Sequence, residues 1–365
     1  MAAIWRLFGS TTLLVAASLC LFSANLALAD DDDNDMSESV HLPRPQGMQQ
    51  EQRQDSQQDN QPVRQEQPRD PSLTLNRQQA REYMVVLINK DRAAEQLQPV
   101  VLDMVASEAG QSHTDEMVTH GYHGHWGMDG KKPPQRYTEG GGRDYVAENA
   151  WFSGFTEGTK GKPDADPFFS REELERAESV FMAEKPPMDG HRKNILNPSH
   201  DGVGVCLSRA TGNGDTFRMA MTQEFVDHYG AYQEIPHELT IGDQVTVAGQ
   251  LYPNFHLHDI TVYREDLPKP MSIAQLNATY SYNFPDRVVV YFPPPFHSDI
   301  PISVTTTQQG EQFSAEIPIE KKLGGEGLYS IGIWAVPLAT GKPIMVSLRT
   351  IAVTKRAHDK SKSAR

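Results

Sequence analysis

Hydrophobic and polar positions divide the chain into four regimes. The first, Leu7 to Ala29, carries no charge and centres on a compact apolar run from Leu13 to Phe22. Ala27-Leu28-Ala29 puts small residues where a signal peptidase reads. Residues 1–29 are therefore expected to be a cleaved export signal, with Asp30 opening the mature chain. The stretch is nearly long enough to span a bilayer, so an uncleaved anchor is the competing reading. A lipid anchor at Cys20 is less favoured, because Leu19 is bulky where a small residue is wanted. The second regime, residues 30–71, is almost wholly polar. It opens with Asp30-Asp31-Asp32-Asp33, and ten of the 22 residues from Gln46 to Gln67 are Gln. So few apolar side chains cannot offset chain entropy, which predicts a disordered acidic, Gln-rich linker.

The third regime alternates helical spacing with Gly/Pro-rich stretches. Tyr83, Val86 and Leu87 predict a helix over Leu75–Ala94. Leu102, Val105, Ala109, Ser112 and Met117 predict a second over Leu102–His120, stopped by Gly121. Gly121 to Asn149 reads as a long loop region. Arg171–Ala183 reads as a third helix, Pro186-Pro187 as a break and His191–Leu196 as a short helical turn. Gly202–Ser208 and Phe217–Phe225 read as strands around a Gly212-Asn213-Gly214 turn. The fourth regime begins near Leu239. Short β-rich runs, among them Ile260–Tyr263, Val288–Phe292, Tyr329–Trp334 and Met345–Val353, are separated by turn residues. That spacing predicts an all-β sandwich. The expected domains are 72–230 and 236–354, with a basic tail over 355–365.

Composition narrows the function classes. With 365 residues, 38% of them hydrophobic, the chain can build two cores. Lys and Arg number 34 against 48 Asp and Glu, a net charge of −14, and loss of Arg6 with the leader would make it −15. This balance argues against nucleic acid and against anionic membrane surfaces as partners. Beyond the leader, no segment is apolar enough to span a bilayer. The two cysteines, Cys20 and Cys206, exclude a disulfide scaffold or a multi-cysteine zinc site. Cys206 lies in the apolar run Val203–Leu207 and reads as a buried strand thiol.

Three pieces could carry chemistry. His113, His120, His123 and His125 fall within thirteen residues, next to glycines. A lone histidine is usually a satisfied side chain; a dense cluster is as readily a ligand set. His123 and His125 could share one metal only if the loop turned sharply. Glu148 sits in the small, apolar run Val146–Trp151 and needs a partner if buried; its bland reading is a solvent-facing acid. Glu184 ends the third helix, shortly before Gly190-His191. Tyr280, Tyr282, Tyr291 and Trp334 could form a sugar-stacking platform, although at β spacing such residues are more often core.

In order, these pieces resemble the CAP superfamily (cysteine-rich secretory proteins, antigen 5 and pathogenesis-related type 1 proteins), in its cysteine-poor bacterial, SCP-like form. The likeness rests on Asn89-x-x-Arg92, His113-x-Asp115-x-Met117, Gly121-Tyr122 leading to His125, Asp129-Gly130, Arg136-Tyr137 and Glu148-Asn149. It continues through Gly190-His191-Arg192-x-Asn194-Ile195-Leu196, Gly202–Val205 and Thr222-Gln223-x-Phe225. It covers about residues 76–228. Ala147 stands where the family usually has Gly, and Phe181 where Trp is common. The resemblance implies an α+β fold: an α-β-α sandwich with a central cleft, here followed by a smaller all-β, Ig-like sandwich. It also implies a cleft lined by His125, Glu148, Glu184 and His191, with zinc or another divalent metal on His125 and His191. The Pro186-Pro187 insertion bears most on Glu184.

Two functional expectations follow. One is an exported binding module, secreted or periplasmic, whose cleft takes a lipid, peptide or glycan, with a cell-envelope partner in prospect. The other is a metal-dependent hydrolase of peptide or cell-wall bonds, with Glu148 or Glu184 as catalytic base. No Gly-x-Ser-x-Gly is present and no Cys lies near the cleft motifs, which favours the binding module.

Overall fold

The computed structural model describes residues 74–154, 161–211, 217–279 and 281–356. The expected leader, the linker, the Gly212-Asn213-Gly214 turn, Tyr280 and most of the basic tail lie outside the described residues. The architecture is α+β, as expected, with two domains in sequence.

The first domain opens with β1 (Thr74–Asn76) and α1 (Arg77–Ala94). Asn76 and Gln79 satisfy each other's backbone N–H in a capping box. β2 (Val101–Leu102) leads into α2 (Met104–His120), where the Asp103 carboxylate accepts from Ala106 N at 2.7 Å and Gly121 forms the C-cap. The stretch expected to be loop contains α3 (Pro133–Glu139) and the start of β3 (Tyr145–Gly154). Pro133 and Pro134 look like breakers in sequence, but at a helix's first positions their missing N–H groups cost nothing. β4 (Lys162–Pro163), β5 (Phe168–Ser170), α4 (Arg171–Ala183) and α5 (Gly190–Ile195) follow. β6 (Gly202–Thr211) and β7 (Phe217–Asp227) are the long central strands.

The main sheet has the order β2-β6-β7-β3, with β2 parallel to β6 and the other pairs antiparallel. Val203, Val205 and Leu207 pack with Met84 and Ile88 of α1 and Leu174 and Phe181 of α4. The alternate residues of β6 face α2, where Gly204 and Cys206 approach Ala106 and Ser107. The result is three layers, helices over both faces of one sheet. α1 and α2 lie where the sequence predicts, but their buried faces are rotated from the expected stripes. On α1 the buried line is Ala80, Met84 and Ile88, while Val86 is exposed. On α2 it is Ala106, Gly110, Thr114 and Met117, while Val105 and Ser112 are exposed.

The second domain begins early. β8 (Gly230–Tyr232), which starts at the last residue assigned to the first domain and ends before the expected start at 236, pairs with β10 (Gln244–Leu251). β9 (Glu238–Thr240), β11 (Phe255–Glu265), β12 (Asp286–Tyr291), β13 (Ile302–Thr307), β14 (Gly310–Pro318), β15 (Gly327–Pro337) and β16 (Ile344–Thr354) complete it. The sheets β13-β14-β10-β8 and β12-β11-β15-β16-β9 enclose one core containing Val247, Phe313, Ile331 and Val346. Tyr291 belongs to that core, and Trp334 packs with Tyr145, Tyr263, Phe284, Met345 and Leu348. That second cluster joins the domains, because Tyr145 is on β3. Ser347 Oγ donates to Arg143 O at 2.6 Å and Thr350 N to Thr138 Oγ1 at 3.2 Å across the same seam. No helix among the described residues is long and apolar enough to cross a membrane.

Candidate functional site

The four-histidine cluster disperses in the fold, and the roles of His113, His123 and His125 follow from their partners. His113, buried in α2, places Nε2 2.8 Å from Gly124 O and so holds the following loop. Tyr122 in that loop donates to Glu116 Oε2 at 2.6 Å. His123 Nε2 lies 3.1 Å from Ala150 O. Burial pushes both imidazoles below the usual histidine range, as expected for neutral rings used as structural hydrogen-bonding groups. Of the cluster, His125 joins the other sequence-predicted site residues.

His125 and Glu148 form the first pair, with Nδ1 2.8 Å from Oε1. Glu148 lies in the middle of β3, and its side chain has 0% exposure, so it is not the solvent-facing acid of the bland reading. The strand is covered on both faces, which its position in an apolar run hinted at. Arg136 of α3 donates to Glu148 Oε2 at 2.6 Å and to His125 O at 2.8 Å, fixing loop and carboxylate together. Directly across the ladder from Glu148 stands Glu224 of β7. Burial raises both acids, but Arg136 pulls Glu148 back down while the Glu148 charge drives Glu224 well above the carboxylate range, so the proton of the pair falls to Glu224. Burial, followed by the nearby His191 and Arg136, pushes His125 down to about 3. The ring is neutral, its Nδ1–H donates to ionised Glu148, and Nε2 keeps its lone pair.

His191 and Glu184 form the second pair. The chain reverses after α4, with Lys185 bridged to Met188, and returns Glu184 to the start of α5. Glu184 Oε2 accepts from the backbone N–H of His191 at 3.0 Å and of Arg192 at 3.3 Å, while Oε1 lies 2.5 Å from His191 Nδ1. Phe181 stacks on the imidazole with ring centroids 4.5 Å apart. Behind it, Asn149 donates to His191 O at 3.1 Å, and Asn194 donates to Asn149 Oδ1 at 2.9 Å. Gln223 receives from Asn149 at 2.9 Å and donates to Glu178 at 2.6 Å. Burial raises Glu178 to about 8.

The structure thus brings all four sequence-predicted residues together. The His125 and His191 ring centroids are 6.5 Å apart, each imidazole backed by its own carboxylate. Neither Nε2 bonds to a described residue. Among the described residues no group of three His, Cys, Asp or Glu side chains gathers as a metal cage.

A family profile described as CAP, the cysteine-rich secretory protein family, matches residues 85–225. Residues 85–225 therefore form a CAP domain. Less than half of the chain lies in the matched region, which contains His125, Glu148, Glu184 and His191. Among solved structures, an extracellular SCP-domain protein from Bacillus anthracis strain Ames is 20% identical with a TM-score of 0.29. The match covers 44% of this chain and 45% of that one, so the chain spans under half of that relative's length. Murine CRIg is 8% identical with a TM-score of 0.22, covering 35% of this chain and 98% of that one. No curated protein matches the chain.

Three further residues shape the CAP cleft; the sequence assigns Arg136 and Glu224 no role and Tyr282 only a place among the strand aromatics. Arg136 and Glu224 complete the buried carboxylate pair. An acid in the apolar run Met219–Val226 was the available signal for Glu224, the same signal that marked Glu148. Tyr282 is the third: its ring lies edge-on to His125 with centroids 5.5 Å apart. Tyr291 in the sandwich core and Trp334 in the seam follow the reading of these aromatics as core, and with Tyr282 beside His125 the described three share no common platform.

Proposed function

We propose that this is an exported CAP-domain binding protein whose cleft holds a divalent ion between His125 and His191 and uses the open positions for a ligand. The supporting observation is the pair of imidazoles facing one cleft, each with Nδ1 committed to a carboxylate. That arrangement fixes the tautomer and ring orientation and leaves Nε2 as the metal-binding atom. Two imidazoles fit a weakly held zinc, completed by water or ligand, rather than a closed structural site. Bound there, the ion would supply Lewis acidity toward a ligand oxygen. The leader residues 1–29 support export. The ligand class stays as the sequence frames it: lipid, peptide or glycan.

The hydrolase alternative loses one of its two bases. Glu148 is committed to Arg136 and His125 with no exposed side-chain surface, whereas Glu184 is 21% exposed. Glu184 is therefore the carboxylate available to accept a proton from water. The reading is tested by titrating the metal-stripped full chain with Zn2+ in a calorimeter. Saturation near one equivalent is expected, with Glu184→Gln weakening binding by about 10–100-fold. Absence of binding in the wild type overturns the reading. Zinc-dependent turnover of a peptide or glycan that Glu184→Gln abolishes even at zinc concentrations that saturate the variant would establish the hydrolase instead.

A further inference from the structure

The connection between β11 and β12 is far longer than the sheet requires. The strands are antiparallel neighbours, paired down to Arg264 with Asp286, and a turn of about two to five residues would join them. Instead the chain leaves at Glu265, crosses to the CAP domain and returns at Asp286. Its short helix α6 (Ile273–Ala278) buries Leu276 in a cluster with Met117, Val118 and Tyr122, joined by Met271, Ile273 and Phe152. Met271 N donates to Met128 O at 2.8 Å, His123 N to Asn277 Oδ1 at 3.2 Å and Trp126 Nε1 to Ser281 O at 3.3 Å. Each of these contacts falls in the loop that presents His125. A Cβ on Gly130 (φ 81) would lie 2.2 Å from Lys269 O, so the close passage of the two backbones depends on that glycine.

The far end of the connection reaches the site itself. Tyr282 covers the His125 ring edge-on, and Lys132 Nζ lies 5.3 Å from the Trp126 centroid and 5.7 Å from that of Tyr282. Lys132 also bonds Glu265, where the connection begins, at 2.5 Å. The attachment is not continuous. A cavity of about 260 Å³ lies beneath the first half, lined by Trp126, Lys132, Gln135, Glu265, Lys269 and Met271 among others. His125 is left 14% exposed, against 28% for His191, whose ring stacks on Phe181.

We propose that residues 266–279 and 281–285 form a strap by which the β-sandwich controls access to the His125 side of the CAP cleft, with Tyr282 the side chain that an entering ligand displaces or shares. This rests on the reading of the cleft as a ligand site and assigns the second domain a part in it. A strap tied mainly through side chains over a cavity can lift without breaking either core. Tyr282 belongs to none of the apolar clusters, and far-ultraviolet circular dichroism and the urea midpoint of Tyr282→Ala check that the variant is folded before its reactivity is read.

Access can be read without metal. The metal-stripped full chain is treated with diethyl pyrocarbonate, and the modification rates of His125 and His191 are measured by peptide mass spectrometry. In Tyr282→Ala, His125 should react about tenfold faster because modification no longer waits for a local opening, while His191 stays within about twofold. Tyr282→Phe, which keeps the ring, should behave as wild type. An unchanged His125 rate in Tyr282→Ala overturns the proposal, as does an equal rise at both histidines. Since no metal enters the measurement, a failed zinc titration would leave this result standing, and the reverse.

Discussion

Arg136 neutralises a buried site that holds two carboxyl groups, Glu148 and Glu224, on adjacent strands. Removing it strands Glu148 without a cation. Arg136→Met should therefore destabilise the fold by about 3–5 kcal/mol, read from urea midpoints, whereas Glu224→Gln, isosteric with the protonated acid, should stay within about 1 kcal/mol of wild type. Equal losses in both would contradict the assignment of the proton to Glu224. His228 offers a pH test away from the cleft. Its hydrogen bonds to Asp103 at 2.8 Å and Asp201 at 3.0 Å raise it to about 10, with Asp144 adding to the shift. A folded-state value above the ordinary 6.5 means the stabilisation is complete below about pH 6.5 and lost as pH rises towards 10. The melting temperature should fall across that window, and His228→Asn should both lower it at pH 7 and flatten the fall. At this scale the sequence was legible where residues carried a family motif: His125, Glu148, Glu184 and His191 all converge. Glu224 and Tyr282 carried none. Their roles depend on cross-strand register and on a contact between domains, neither of which local pattern encodes.

Among the elements, α1, α2 and α4 were legible from spacing and caps, yet the packed faces of α1 and α2 were not. Apolar periodicity favours bulky residues, and here the helix–sheet approach is set by small ones. A Cβ on Gly204 would lie 2.5 Å from the Ala106 carbonyl carbon, and one on Gly110 would lie 2.5 Å from Cys206 Sγ. The line Ala106, Gly110, Thr114 looks weak on a hydrophobicity scale but lets the backbone of α2 lie close to β6. Gly204→Ala must push the helix from the sheet, with an expected loss of about 2–3 kcal/mol in denaturant unfolding. A loss under about 0.5 kcal/mol would show that the layers are not in close contact there. The α3 segment was hidden for a different reason. Its two prolines are breakers inside a helix but favourable at its start, and that distinction needs a boundary that a Gly-rich stretch does not mark.

In the whole molecule, the CAP domain and the β-sandwich share the seam around Tyr145, Tyr263, Trp334 and Leu348 in addition to the strap. That shared apolar cluster predicts one calorimetric transition for the full chain rather than two. A truncated CAP domain ending at residue 228 should melt lower than the intact chain, and two resolved transitions in the intact chain would contradict the coupling. The two-domain order was legible from the change of period near Leu239. The docking was not, because it depends on residues that read as ordinary strand core or loop. The central claim, a divalent ion on the two cleft histidines, is tested most directly by the metal content of the purified mature protein beside the His125→Ala, His191→Ala double variant. Near-stoichiometric zinc or another divalent ion in the wild type, lost in the folded double variant, is the predicted result. A wild type that holds no metal even after zinc is supplied at neutral pH, or a double variant that holds as much as the wild type, would contradict it.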